Sequence, residues 1–219
     1  MIKLYGRAGT GAAAVEALLH ELEVPHEYIE VATSKDDPSR SDPAFTAINP
    51  LGQVPFILCD DGTVMAESGA IIIAAADRFG RNSLVKHDLY IPMADDPTRN
   101  SYMRWIMFFA SGVYYHHLFY FYSGRYVSAP VPQAELKVSA LRELDRLLNF
   151  AAGQLGNQPY LLGDDCSPLD LYAAMLFAWH PDLQRFINDH PIIKAYCHRV
   201  MNRPKAKKTW EKHGLFIAA

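Results

Sequence analysis

The hydrophobic pattern of the chain changes near Gly80, and this change limits the possible folds more than any other feature of the sequence. Before Gly80, short apolar runs alternate with helix-like segments, which is typical of an α/β unit. After Gly80, the pattern is helical throughout. The sequence therefore predicts an α+β protein of two domains: an α/β domain at residues 1–82, a linker at residues 83–96 and an all-helical domain at residues 97–219.

The charge distribution supports the same division. Residues 1–82 hold 6 Lys and Arg against 12 Asp and Glu, and the remaining residues hold 15 against 12. The two parts therefore carry −6 and +3, which gives the formal charge of −3 for the whole chain. A nucleic-acid partner is not expected, because the neutralisation of phosphates requires a basic surplus or a basic stripe.

The first part contains strand-like and helix-like segments with clear boundaries. The Asp61-Gly62 pair favours a hairpin turn, while Pro25 and Gly80 are expected to end helices. The predicted strands lie at residues 2–5, 26–31, 54–59 and 63–66, and the predicted helices lie at residues 12–24 and 67–79.

The second part begins with a long aromatic segment at residues 102–122. Arg104 and the His116-His117 pair interrupt this segment, so a buried helix is expected and a membrane span is not. A later helix is expected after Ser167, because Ser at the cap, Pro at the first position and Asp170 at the third position are agreeing start signals. Other helices are predicted at residues 133–155, 182–189, 191–202 and 205–213.

The three cysteines, Cys59, Cys166 and Cys197, lie far apart and form no CxxC motif. This usage is typical of reduced thiols in a cytoplasmic protein and argues against a dithiol oxidoreductase. No secretory signal is evident at the N-terminus. No metal is expected either, because His116 and His117 would point about 100° apart on a helix, and neither an HxxxH motif nor a Cys/His cluster is present.

Three stretches of the sequence together resemble the glutathione transferase family. They are residues 48–58 (INPLGQVPFIL), 61–71 (DGTVMAESGAI) and 162–170 (LGDDCSPLD). The resemblance spans nearly the whole chain in order. It implies a thioredoxin-like N-terminal domain that binds glutathione as a co-substrate, an all-helical C-terminal domain with Ser167 and Asp170 in its helix-capping box, and a homodimer.

The resemblance also implies a cis Val54-Pro55 peptide bond, for which proline lowers the usual cost. The backbone N–H and C=O of Val54 would then bind the cysteinyl part of glutathione as a neighbouring strand would. The alternative is an ordinary edge strand that begins with proline. Gln53 would donate its amide to the γ-glutamyl carboxylate. Lys35 would pair with the glycine carboxylate, although a solvated surface lysine is the alternative.

Glu67 and Ser68 stand where a predicted strand gives way to a helix. Free backbone N–H groups and the positive end of the helix dipole attract a carboxylate at such a point. Ser68 would therefore hold the γ-glutamyl carboxylate, and Glu67 would accept a hydrogen bond from the ammonium group. A plain N-cap is the alternative for these two residues, and it is compatible with binding.

The thiol-activating role falls on Thr10 by the same resemblance. The family places a Ser, Tyr or Cys in the turn after the first strand, where it donates a hydrogen bond to the thiolate. A free thiol has a pKa of ~8.5, which a helix N-terminus and one donor lower. Thr10 replaces the Ser of the phi-class pattern here. Tyr5, Arg7 and the backbone N–H groups of Gly11 and Ala12 are rivals, and simple helix capping by Thr10 is the alternative.

The second substrate is expected to be an apolar small-molecule electrophile. Met107, Ser111 and Tyr114 fall on one face of the aromatic helix and would form a pocket wall, although core packing is the alternative. The expected activity is the transfer of alkyl or aryl groups to glutathione, or the reduction of an organic peroxide, with the nucleophile supplied by glutathione. A non-catalytic module that binds ligands or a protein partner is the alternative function.

Overall fold

A four-stranded mixed sheet forms the centre of the N-terminal domain. The computed structural model describes residues 1–32, 43–80, 88–215 and 217. The sheet order is β2-β1-β3-β4, with β1 parallel to β2 and antiparallel to β3, and β3 antiparallel to β4. Leu4 pairs with Tyr28 on one side and with Ile57 on the other. The strands are β1 (Ile2–Gly6), β2 (His26–Glu30), β3 (Phe56–Leu58) and β4 (Val64–Ala66).

In the described part of this domain, three helices accompany the sheet: α1 (Ala12–Glu21), α2 (Pro43–Ile48) and α3 (Ser68–Gly80). Helix α1 ends before the predicted boundary at residue 24, and Glu23 takes a φ of +53° just after it. Helix α2 was not predicted, because a six-residue helix with one buried side chain, Phe45, is too short to show a helical period. The α/β pattern predicted for this part is confirmed, and the domain is thioredoxin-like.

The described residues of the C-terminal domain form helices joined by loops, as predicted. Its first helical run is divided into α4 (Arg99–Met107), a π-helical segment (Phe108–Val113) and α5 (Tyr114–Phe121), and a 3₁₀ turn follows at Ser123–Arg125. The later helices are α6 (Pro130–Leu155), α7 (Pro168–Ala178), α8 (Leu183–Asp189), α9 (Pro191–Met201) and α10 (Lys207–Lys212).

The aromatic segment is therefore not one regular helix. The six residues of the π-helical segment include Gly112 and Ser111, and the Ser111 hydroxyl donates to the Met107 carbonyl at 2.7 Å. Such a segment admits one extra residue into a helix and displaces the side chains that follow. Within residues 1–32, 43–80 and 88–215, every helix is too short or too polar to span a bilayer.

The start of α7 is held by a buried carboxylate. Asp170 accepts hydrogen bonds from the Ser167 N–H at 2.8 Å, the Ser167 hydroxyl at 2.7 Å, the Leu161 N–H at 2.9 Å and the Tyr196 hydroxyl at 2.9 Å. Burial raises the pKa of Asp170, and these four donors oppose the rise. The capping box therefore ties α7 to α9 and to the loop before α7.

Helix α1 is buried almost all round, because it packs against α3 and also against α7 and α10 of the other domain. Two acidic residues on α1 bridge the domains. Glu21 accepts from the Arg203 guanidinium at 3.0 and 2.8 Å, and Glu16 accepts from Lys212 at 2.6 Å. The position of the α1 N-terminus relative to the helical domain is therefore fixed by packing and by ion pairs.

Candidate active site

A cavity of about 1070 Å³ lies between the two domains. One side, the polar wall, is built by the N-terminal domain from Arg7, Thr10, Gln53, Val54, Glu67 and Ser68. The opposite side, the helical wall, is built by α4, the π-helical segment, α5 and the turn after α5 from Met107, Ala110, Ser111, Tyr114, Leu118 and Tyr122. The structure thus brings together every described residue that the sequence placed in the two binding sites.

The loop before β3 presents Val54 and Gln53 to the cavity. The Val54-Pro55 peptide bond is cis, and the pairing of β3 with its neighbours begins only at Phe56. Val54 therefore lies outside the sheet ladder. The buried Asn49 side chain donates to the Gln53 carbonyl at 2.7 Å and so holds this loop against the end of α2. Asn49 is thus a positioning residue, and it was not predicted from the sequence.

The junction between β4 and α3 carries an unusual backbone conformation. Glu67 has a φ of +65°, a region that residues other than glycine rarely adopt, and its side chain is exposed on the cavity wall. Conformations of this kind persist where the surrounding structure imposes them, and they cluster at ligand sites. Ser68 follows as the first residue of α3, so its backbone N–H lies at the positive end of the helix.

Ser68 is also joined to the helical domain. Its hydroxyl lies 3.0 Å from the Tyr172 hydroxyl of α7, and both side chains are buried. Burial raises the pKa of Tyr172, so this phenol is protonated at neutral pH. Gly69 permits the close approach of the helices, because a Cβ there would lie 3.1 Å from the Ala110 side chain. Tyr172 was missed from the sequence because it is remote from Ser68 along the chain.

Thr10 occupies the turn before α1, and its hydroxyl is engaged within that turn. The hydroxyl donates to the Arg7 carbonyl at 2.6 Å and accepts from the Ala12 N–H at 3.4 Å. Tyr5, one of the rivals, instead stacks on Phe56 with ring centroids 4.3 Å apart. Thr10 thus lines the cavity while its proton points to a backbone carbonyl.

A tyrosine from the opposite wall reaches the same turn. A Cβ on Gly11 would lie 3.1 Å from the Tyr114 hydroxyl, so glycine is needed there for close approach. Burial raises the pKa of Tyr114, and a hydrogen bond from the Gly11 backbone opposes that rise. The Tyr114 ring also meets Trp179 edge-on at 5.2 Å. Tyr114 therefore links the helical wall to the N-terminus of α1.

The other two residues expected in the pocket wall, Met107 and Ser111, both line the cavity. Met107 is 54% exposed, so it can adapt to a ligand, whereas the Ser111 hydroxyl is bonded to the helix backbone. Two cationic groups lie beyond them. The Arg125 guanidinium lies 4.2 Å from the centre of the Tyr122 ring, and the Arg7 guanidinium lies 3.4 Å from the Tyr122 hydroxyl. Arg125 and Tyr122 were not predicted, because no local motif marks them.

His116 and His117 make separate contacts with two backbone carbonyls. His116 contacts the Gly112 carbonyl through Nδ1 at 2.8 Å, and the buried His117 contacts the Leu176 carbonyl through Nε2 at 3.0 Å. Burial lowers the pKa of His117 to about 3, so its ring is neutral at ordinary pH. Lys35, the residue expected at the glycine carboxylate, lies outside the described residues.

Comparison with known proteins assigns both domains to one family. The model for the glutathione S-transferase N-terminal domain matches residues 12–78, and the model for the C-terminal domain matches residues 114–204. The uncharacterised GST-like protein YncG of Escherichia coli is 26% identical over 97% of this chain and 98% of its own. The glutathione S-transferase-like protein gedE of Aspergillus terreus is 28% identical over 94% of this chain and 93% of its own.

The fold is shared with solved structures as well. A glutathione transferase homologue from Sulfitobacter, crystallised with bound glutathione, superposes with a TM-score of 0.81 at 23% identity, covering 99% of both chains. Matches to both domains in the right order, together with this fold, leave one conclusion. The chain belongs to the glutathione transferase family.

Proposed function

We propose that the protein is a glutathione transferase that binds glutathione, stabilises its thiolate and presents the sulfur to an apolar electrophile. The observation that carries this proposal is the construction of the cavity. Groups suited to an extended, charged peptide lie on the polar wall, and an apolar and aromatic surface faces them from the helical wall. Small-molecule cavities commonly measure ~300–1,000 Å³, so this one has room for a tripeptide and a second molecule.

Glutathione is placed along the polar wall. Its cysteinyl backbone pairs with Val54, which lies outside the ladder of β3. Its γ-glutamyl carboxylate meets Ser68 and the N-terminus of α3, with Gln53 beside it, and its ammonium group meets Glu67. Lys35 remains the proposed partner of the glycine carboxylate. A structure of the same fold, from Sulfitobacter, contains bound glutathione, which supports glutathione as the ligand.

The cysteinyl sulfur is placed at the N-terminus of α1, where the helix dipole favours the thiolate. Thr10 is the proposed hydrogen-bond donor. To act, its hydroxyl must turn from the Arg7 carbonyl towards the sulfur, a rotation about χ1 that leaves the backbone in place. The enzyme forms no covalent intermediate, because the attacking atom belongs to glutathione.

The electrophile is placed against Met107, Tyr114 and the neighbouring rings of the helical wall. Attack of the thiolate on an activated carbon forms a carbon–sulfur bond and expels the leaving group. Attack on an organic peroxide breaks the O–O bond, forms a sulfenic acid on the glutathione sulfur and releases an alcohol. The thiol of a second glutathione then displaces water from that sulfur to form the disulfide. The wall is compatible with either reaction, because both need an apolar cavity that excludes water.

The decisive experiment compares Thr10→Ala with Thr10→Ser in the glutathione complex. The absorbance of the thiolate is followed against pH. Loss of a donor to a charged sulfur costs ~1.5–3 kcal/mol, so Thr10→Ala is expected to raise the thiol pKa by about one to two units. Thr10→Ser retains the hydroxyl and is expected to keep the wild-type value. Equal thiol pKa values in wild type and Thr10→Ala would remove Thr10 from the mechanism.

A second function is favoured by one observation, the engagement of the Thr10 hydroxyl with the Arg7 carbonyl. If that bond persists when glutathione binds and no other group lowers the thiol pKa, the protein is a ligand-binding or protein-interaction module of the same fold. Calorimetry shows whether glutathione binds, and the thiolate absorbance gives the thiol pKa of the bound molecule. Glutathione binding with a thiol pKa equal to that of free glutathione indicates the module, and a lowered thiol pKa indicates the enzyme.

We further propose that the protein is a cytoplasmic homodimer. The reduced state of the buried cysteines, Cys59, Cys166 and Cys197, supports a reducing compartment. The resemblance to the family supports the dimer, and light scattering after size exclusion tests it. A single species at the 24.6 kDa of one chain would contradict the proposal.

A further inference from the structure

A cluster of possible metal ligands lies outside the glutathione cavity. Glu16 and His20 lie one turn apart on α1, and His26 begins β2. One ligand atom from each of the three side chains lies within 4.8 Å of the others, and the two imidazole centres are 4.9 Å apart. None of these residues lines the cavity between the domains. No sequence motif predicts this cluster, because the three ligands form neither an HxxxH motif nor a Cys/His cluster and are joined only by the fold.

In each imidazole, Nδ1 already has a hydrogen-bond partner, which leaves Nε2 for a metal ion. His26 Nδ1 lies 2.8 Å from the Val24 carbonyl, and since a carbonyl only accepts, Nδ1 carries the proton and Nε2 keeps its lone pair. His20 Nδ1 lies 2.6 Å from the Thr209 hydroxyl. Metal-binding histidines are usually oriented in this way by an oxygen partner on the other ring nitrogen. The rings are therefore held as metal ligands would be.

We propose that Glu16, His20 and His26 bind a divalent transition-metal ion, with Zn²⁺ the best match. Two imidazole nitrogens and one carboxylate oxygen are ligands that Zn²⁺ accepts, and a water molecule completes the coordination. The histidines are partly exposed, so an ion reaches them from solvent, while the carboxylate is buried. The ion ties α1 to β2, and through Thr209 to α10, so its role is structural.

Glu16 is shared between this site and the helical domain. Lys212 Nζ lies 2.6 Å from one carboxylate oxygen, and His213 Nε2 lies 2.7 Å from the other. A bound cation competes with Lys212 for Glu16. Lys212 is 43% exposed on its side chain and lies 3.3 Å from the centre of the Tyr28 ring, so it keeps a favourable contact when it releases the carboxylate.

The test uses zinc chloride and cobalt chloride with the full-length protein. Calorimetry measures the Zn²⁺ affinity, and the visible absorbance of Co²⁺ reports the coordination. His20→Asn and His26→Asn retain an amide N–H near the position of Nδ1, which preserves the contacts with Thr209 and Val24, but both lack Nε2. Each is expected to weaken binding by at least about 10-fold, since even outer partners of a metal site contribute that much. His198→Asn, on α9, is the matched control and is expected to bind as wild type does.

The Zn²⁺ affinity of Lys212→Met distinguishes a metal site from a cluster that is held together by hydrogen bonds alone. It removes the competing cation and is expected to tighten Zn²⁺ binding several-fold. Far-UV circular dichroism without metal shows whether each variant is folded. The proposal is overturned if wild type binds no Zn²⁺ at millimolar concentration, if the two histidine variants bind as tightly as His198→Asn, or if Lys212→Met leaves the affinity unchanged.

Discussion

Replacement of Glu67 by glycine is expected to stabilise the fold while it weakens glutathione binding. Glu67 holds a φ of +65° at the start of α3, and this conformation costs a residue with a Cβ ~1–2 kcal/mol. Glycine removes that cost, but it also increases the conformational entropy of the unfolded chain, which lowers the free energy of unfolding by ~0.4–1 kcal/mol. Because the side chain is exposed, its own contribution to folding is small. The net expectation is a free energy of unfolding about 0.5–1 kcal/mol above wild type.

The matched variants are Glu67→Ala, which keeps the Cβ, and Glu67→Gln, which keeps a hydrogen-bond acceptor. Glu67→Ala is expected to have nearly the stability of wild type. Glycine and alanine both lose the acceptor for the ammonium group of glutathione, a charged hydrogen bond worth ~1.5–3 kcal/mol, so the Kd is expected to rise roughly 10- to 100-fold. Glutamine is expected to retain part of the affinity.

Urea denaturation followed by circular dichroism gives the stabilities, and calorimetry with glutathione gives the Kd values. The comparison requires equal m-values, because a changed m-value reports a different unfolded or native state. If Glu67→Gly is no more stable than Glu67→Ala, the backbone at this junction stores no strain. If the Kd is unchanged in both variants, Glu67 does not contact the peptide.

Three further predictions concern the packing that holds the site. Asp170→Ala is expected to lower the free energy of unfolding by ~3–5 kcal/mol, because buried N–H and O–H donors lose their acceptor. A loss below about 1 kcal/mol, measured by urea denaturation, would contradict this. Tyr172→Phe is expected to cost ~1 kcal/mol by removing the partner of Ser68, and a loss equal to zero would show that this contact between the domains is not stabilising. Burial alone would raise the pKa of Glu16, but hydrogen bonds from His213 and Lys212 outweigh it and hold the pKa below its usual range. The stabilisation by this carboxylate is therefore present above about pH 4.3 and is lost as the pH falls below that value. The stability difference between wild type and Glu16→Gln, measured against pH, is expected to narrow on acidification, and a constant difference would refute the assignment.

Much of the fold was predictable because it rests on local signals. The Asp61-Gly62 turn, the proline before β3 and the Ser167 cap each favour one local structure whatever surrounds them. The π-helical segment was not predictable, since its residues have no distinct propensity and the extra residue is accommodated only by tertiary packing. Helix α2 was missed because it is too short to carry a period.

The residues of the candidate site also fall into two groups, those marked by local motifs and those brought together only by the fold. The peptide-binding residues Val54, Glu67 and Ser68 lie within continuous motifs, so they could be named from the sequence. The Tyr172 contact with Ser68 and the approach of Tyr114 to Gly11 join the two domains across long stretches of chain. The direction of a hydroxyl proton, such as that of Thr10, depends on the carbonyl that the folded turn places beside it.

Helix α1 has a consequence for how this protein can evolve. Its residues from Ala12 to Leu19 are at most 3% exposed, although the surfaces that cover them come from both domains. Recombination that exchanged only the first domain between distant relatives would pack α1 of one parent against α7 and α10 of the other. Close packing at this contact tolerates little change of side-chain volume. Viable chimeras are therefore expected to inherit α1, α7 and α10 from the same parent, so that these three helices evolve as one unit although they belong to different domains.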